Sequence, residues 1–206
     1  MKPTRAIGWT FTLLLGLGMA GYAFAVFGLR DRMYVDIAAD SFRARPWGIL
    51  PHALFGGIAL AIGPFQFLKA SWQRRPALHH SLGLVCVAAM LVTGASGIYM
   101  AVYAYGGWGP ATGFGGMALA MLICPVIALR RLKAGNVFAH RAWMIRAYAI
   151  LFSAVTFRLW LPLLASQLEF PLAYGSAAWL SWTGNLAWAE WFVRRPGPLV
   201  ARRARA

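Results

Sequence analysis

The 206-residue chain is 60% hydrophobic, carries a net charge of +15 and has only five acidic side chains, a balance that excludes an ordinary soluble domain. Its apolar residues come in long unalternated runs, which excludes a membrane β-barrel and leaves helices, whose backbone bonds are satisfied internally in lipid. Its basic residues are scattered between those runs and form no single stripe or arm, which argues against nucleic acid as the partner.

A hydrocarbon core of ~30 Å needs about 20 apolar helical residues, and the chain offers six such runs. The first covers residues 9–29, behind Lys2 and Arg5. Ala23-Phe24-Ala25 resembles a signal-peptidase site, but the run exceeds the usual h-region of about 7–15 residues, so a retained anchor is expected. Residues 30–45 form the longest hydrophilic connection, with Asp31, Asp36 and Asp40 among arginines. The second run, 47–68, contains Pro51 and Pro64, which predict kinks near both ends. Lys69, Arg74 and Arg75 close it, and Pro76 is placed to open the third run at 78–103. There Ala89, Thr93 and Gly97 recur every fourth residue, a small face suited to close helix packing.

An uncharged turn, Gly106-Gly107-Trp108-Gly109-Pro110, leads to the fourth run at 112–129. Arg130, Arg131 and Lys133 make a basic loop before the fifth run at 141–164. The sixth covers 172–193, ahead of a tail with Arg194, Arg195, Arg202, Arg203 and Arg205. The expected fold is an all-α polytopic bundle of six transmembrane helices forming one domain over 1–206. With the N-terminus inside, the inner loops collect the clusters at 69–75 and 130–141 and the arginine tail. The outer ones hold Arg30, Arg32, Arg43 and Arg45, offset by four acids. Basic residues near short loops are kept inside, so both termini are expected in the cytoplasm. Trp47, Trp108, Trp143 and Trp191 fall near run ends, as interface belts require.

Ionisable groups within such runs are costly and mark functional positions by default. Here they are His52, His79, His80, His140, Arg146, Arg158 and Glu190. His79 and His140 begin two runs from the same side, at matched depth. That arrangement suits axial ligation of a haem b iron by two neutral imidazoles, with Arg141 or Arg146 on the propionates. The plainer account is a pair of headgroup-level histidines. His52 lies at the opposite end, ~25 Å of helix from Lys69, so one metal cannot bind all four histidines. His52 and Arg158 share that outer half and are expected to line one pocket for an anion or a quinone oxygen. Arg146 is placed to snorkel, and Glu190 with Arg194 reads as a local ion pair. Cys86 and Cys124 read as small packing residues. No nucleotide-binding loop, metalloprotease helix, CxxC pair or nucleophile elbow occurs.

The run His140-Arg141-Ala142-Trp143-Met144-Ile145-Arg146-Ala147-Tyr148 resembles a bacterial family of multi-helix membrane proteins defined as a domain of unknown function. His52 with Gly63-Pro64-Phe65-Gln66-Phe67, Pro76-Ala77-Leu78-His79 with Gly83, and Arg158 with Pro162 fit the same pattern. The family-like core covers 47–164. The resemblance implies that His52, His79, His140, Arg146 and Arg158 are the family's recurring polar positions, and that the chain lies in a bacterial inner membrane. The family often has arginine after its third-helix histidine and a basic residue after the glycine, where this chain has His80 and Leu84. The layout is similar to that of small b-type transmembrane cytochromes. Two expectations follow. One is a cytochrome-like protein with haem b between His79 and His140, passing electrons to a quinone or another redox partner. The other is a non-redox small transporter or accessory protein that binds a small anion or lipid.

Overall fold

The computed structural model describes residues 3–34 and 36–195. The basic tail beyond Arg195, read as an orientation signal, lies outside them. The described residues form helices α1 (Pro3–Leu29), α2 (Asp36–Ala44), α3 (Pro46–Gln66), α4 (Lys69–Arg74), α5 (Pro76–Ala101), α6 (Trp108–Lys133), α7 (Val137–Leu151), α8 (Ser153–Ala165) and α9 (Phe170–Arg194). Five segments are long and apolar enough to cross a membrane: Ile7–Leu29, Pro46–Gln66, Pro76–Ala101, Trp108–Lys133 and Val137–Ala165. The sixth expected run, α9, has 25 residues but is less apolar. Its Ser181, Thr183, Asn185 and Glu190 dilute it.

Local chemistry explains the punctuation. Pro46 and Pro76 occupy the first positions of α3 and α5, where a missing N–H costs nothing. α6 ends in Gly135 at φ 74°, a left-handed conformation that glycine adopts freely. The Asn136 side chain then accepts from Ala139 N at 2.9 Å to cap α7. α3 runs as one helix through Pro51 and Pro64.

α3 is the hub, packing on α1, α5 and part of α7; α5 packs on α6, and α6 on α7 and α9. α9 also covers α8, and α8 touches α1 to close the ring. The core is made of Leu60, Cys86, Met90, Tyr148 and Ile150, all buried. Ala89, Thr93 and Gly97 are buried as their spacing implied. A Cβ on Gly97 would lie 3.2 Å from Ala118 Cβ, so the small face allows α5 and α6 to approach closely.

The hydrophilic connection 30–45 contains α2. That helix turns Ala38, Ser41 and Phe42 toward the bundle, while Asp40 pairs with Arg43 at 3.0 Å on the exposed side. The fifth run is one membrane-crossing segment, Val137–Ala165, interrupted at Phe152 between α7 and α8. A break frees carbonyls that lipid cannot satisfy. Asn185 Nδ2 on α9 donates to Ala149 O and to Thr156 Oγ1, both at 3.0 Å. The Ser153 hydroxyl donates to Ile150 O, and Thr156 Oγ1 donates to Ser181 O at 3.0 Å. This polar seam between α7–α8 and α9 makes the break tolerable.

Candidate functional site

The break decides where space opens. α7 packs against α6, α9 and the end of α3, whereas α8 is held by α9 and touches α1. A cavity of about 540 Å³ lies on the α8 side of the break, within the range of small-molecule sites. Its floor is Leu60, Met121, Ile150 and Leu151, and Met33 lies along it together with Ser41 and Phe42 of α2.

Arg45, just before α3, lines the cavity, and one stripe of the helix supplies a wall: Ile49, His52, Gly56 and Leu60. They recur at helical spacing on one face. On α8, Ala154, Phe157, Arg158 and Leu161 do the same. His52 and Arg158, expected to share a pocket, therefore face one cavity. His52 Nδ1 lies 3.1 Å from Thr93 O. A carbonyl only accepts, so Nδ1 carries the proton and donates, and Nε2 is the nitrogen left for a ligand or water. A Cβ on Gly97 would lie 3.5 Å from the His52 ring, in ordinary van der Waals contact, so α5 packs directly against the ring.

Arg158 is exposed although it lines the cavity, so it stands at an opening, between α8 and α1. Its Nη1 donates to Ala154 O at 2.8 Å. Its guanidinium sits 4.6 Å from the ring centre of Tyr22 on α1. Arg45 is built the same way: Nη1 donates to Ser41 Oγ at 3.3 Å, and the guanidinium lies 3.7 Å from the Tyr103 ring centre. Two arginines thus stack on tyrosines around His52. Among the described residues no carboxylate lines this cavity.

The other end of the bundle is different. Arg146, a candidate propionate partner, is engaged across α7 and α9 with Glu190: Nη2 lies 2.7 Å and Nε 2.8 Å from Oε2. Glu190 also meets Arg194, so the expected local pair is half of a bridge. The Arg146 guanidinium lies 4.7 Å from the Trp143 ring centre. Arg141 is exposed. His140 Nδ1 donates to Ala128 O at 3.0 Å, and His79 Nδ1 lies 3.5 Å from Ser71 Oγ. The two histidines are within electrostatic range of each other, and their helices α5 and α7 both pack on α3 and α6. Among the described residues no three His, Cys, Asp or Glu side chains form a metal-holding group. The Gln66 amide, at the end of α3, is buried without a partner.

Sequence reading missed Arg45, Tyr22, Tyr103 and Asn185. Arg45 was absorbed into the orientation count. The signal was available: it precedes His52 by two helical turns and so shares its face.

A family model described as "Predicted membrane protein (DUF2306)" matches residues 49–193, from α3 through α9. The chain belongs to this family. No curated protein and no solved structure matches it.

Proposed function

We propose that the chain is a six-span protein of a bacterial inner membrane, with both termini in the cytoplasm. Its cavity binds a small anion in the manner of a transporter or accessory subunit, without redox chemistry. The carrying observation is that Arg45, Arg158 and His52 line one cavity in which no described carboxylate balances them. Two guanidiniums that face a cavity with no described carboxylate offer donors for charge-assisted hydrogen bonds to a bound anion. α9 is counted as the sixth span because two of its polar side chains are engaged by α7 and α8: Asn185 donates to Ala149 O and Thr156 Oγ1, and Glu190 meets Arg146. The basic loops at 69–75 and 130–136 fall on one side with five spans or six, and the sixth brings Arg194 and Arg195 to that side as well.

The test is the thermal stability of detergent-purified protein with and without acetate or inorganic phosphate. A ligand present at about 100 times its Kd stabilises by about 2.7 kcal/mol. The shift is expected in the natural chain and absent in Arg158→Gln and His52→Gln. No shift with any anion, or an equal shift in both variants, contradicts the proposal.

A second reading, haem b between His79 and His140, draws on one observation: each Nδ1 has a protein partner, which leaves each Nε2 to meet a metal. Haem would supply one-electron chemistry there. His79 and His140 would hold it, and Arg141, which is exposed, would reach a propionate. Arg146 is already committed to Glu190. A reduced-minus-oxidised absorption spectrum decides: a split haem b band that disappears in His140→Ala favours this reading, and a flat spectrum from folded protein rejects it.

A further inference from the structure

We infer that the anion taken by this cavity is the head of a single-chain amphiphile, a carboxylate or phosphate on an alkyl tail, which enters sideways from the bilayer. The inference rests on the anion-binding reading above and adds to it the tail, the size and the route.

The cavity is polar at one end only. The charged groups gather around Arg45, Arg158 and His52, while its far end is the apolar floor of Leu60, Met121 and Ile150. A free inorganic anion has no use for that floor. From Ile49 to Leu60 along α3 the cavity runs roughly 16 Å at a helical rise of ~1.5 Å per residue. An extended alkyl chain with bonds of about 1.5 Å advances roughly 1.25 Å per carbon, so about twelve to thirteen carbons reach from the level of Ile49 to the floor. A quinone head fits the space less well in charge. It is neutral, and it leaves two guanidiniums unbalanced where a carboxylate or phosphate balances them.

The route follows from Arg158. It lines the cavity yet is exposed, and it reaches the Tyr22 ring on α1. α1 and α8 meet only slightly, so the opening at Arg158 lies between two outer helices and faces the surrounding lipid. An amphiphile already in the bilayer passes this opening tail first, with its head following to the guanidinium. Arg158 is the residue that admits and then holds the head.

Native mass spectrometry of the full chain in phosphatidylcholine nanodiscs tests this, with saturated carboxylates of about six to eighteen carbons, the matching alcohols, dodecyl phosphate and acetate. The expected result is a one-to-one complex with the carboxylates whose affinity peaks near twelve carbons. Dodecyl phosphate should bind comparably, and dodecanol at least about tenfold more weakly. Arg45→Gln and Arg158→Gln should each weaken the best carboxylate by about tenfold without moving the peak. Ala154→Phe, which shortens the cavity from α8, should move the peak to shorter chains, and Met121→Trp gives the same readout should the first variant not fold. Affinity that rises steadily with chain length in every variant, with acetate still held by Arg158, overturns the amphiphile and leaves the anion site standing. Equal binding of dodecanol and dodecanoate, with no effect of either arginine, overturns both.

Discussion

The two arginines of the fifth apolar run, Arg146 and Arg158, differ only in their surroundings. Arg146 on α7 meets Glu190 at 2.7 Å and is mostly buried, with 15% of its side chain exposed. Arg158 on α8 meets a backbone carbonyl and a tyrosine ring, and it opens onto a cavity. A charge that the fold has already balanced is a packing element. A charge left to an external partner is a recognition element. The helix break at Phe152 lies between them and separates a tightly packed end of the bundle from an open one.

Filling the packed end should give the largest loss of stability. A Cβ on Gly63 would lie 2.2 Å from the Tyr148 ring, and Phe67 packs edge-on to that ring at 5.7 Å. Gly63→Ala should therefore destabilise by about 1–3 kcal/mol through overpacking, measured as the midpoint of thermal aggregation in detergent. Gly21→Ala, where a Cβ meets nothing within 4 Å, is the neutral control.

Next comes the bridge. Glu190→Gln leaves Arg146 without its anion. Because 31% of the Glu190 side chain is exposed, the cost should be about 1–2 kcal/mol, below that of a fully buried pair. The double variant with Arg146→Met should recover most of it, and additive losses in this cycle would show that the pair is not coupled.

The seam at the break ranks third. Asn185→Leu removes the donor to Ala149 O, and polar contacts between membrane helices contribute about 0.6 kcal/mol on average, up to about 1.7. This variant should also weaken anion binding, because α8 then loses its fixed angle. Unchanged binding would separate the seam from the cavity.

Smallest of all in stability is Arg158→Gln, within about 0.5 kcal/mol, as for most exposed positions. Its effect should appear in binding instead. That inversion, little stability and much binding, is what distinguishes Arg158 from Arg146.

The sequence made the apolar runs legible because lipid imposes a length and a composition on each. It also placed His52 and Arg158 in the same half, through simple counting along helices. The break at Phe152 was not legible, since neither proline nor glycine stands there. What satisfies it is Asn185, brought in from α9 by tertiary packing. The partner of Arg146 was hidden for the same reason, as Glu190 already had a local explanation in Arg194. α2 was overlooked because its acids and arginines outweighed the apolar face of Ala38, Ala39 and Phe42 that a helical count reveals.

The most direct measurement is the titration of dodecanoate into nanodisc-embedded natural chain, Arg158→Gln and Arg146→Gln under identical conditions. The account predicts loss of binding by about tenfold in Arg158→Gln, with Arg146→Gln less stable but binding normally. Equal loss in both variants, or loss in Arg146→Gln alone, would contradict it.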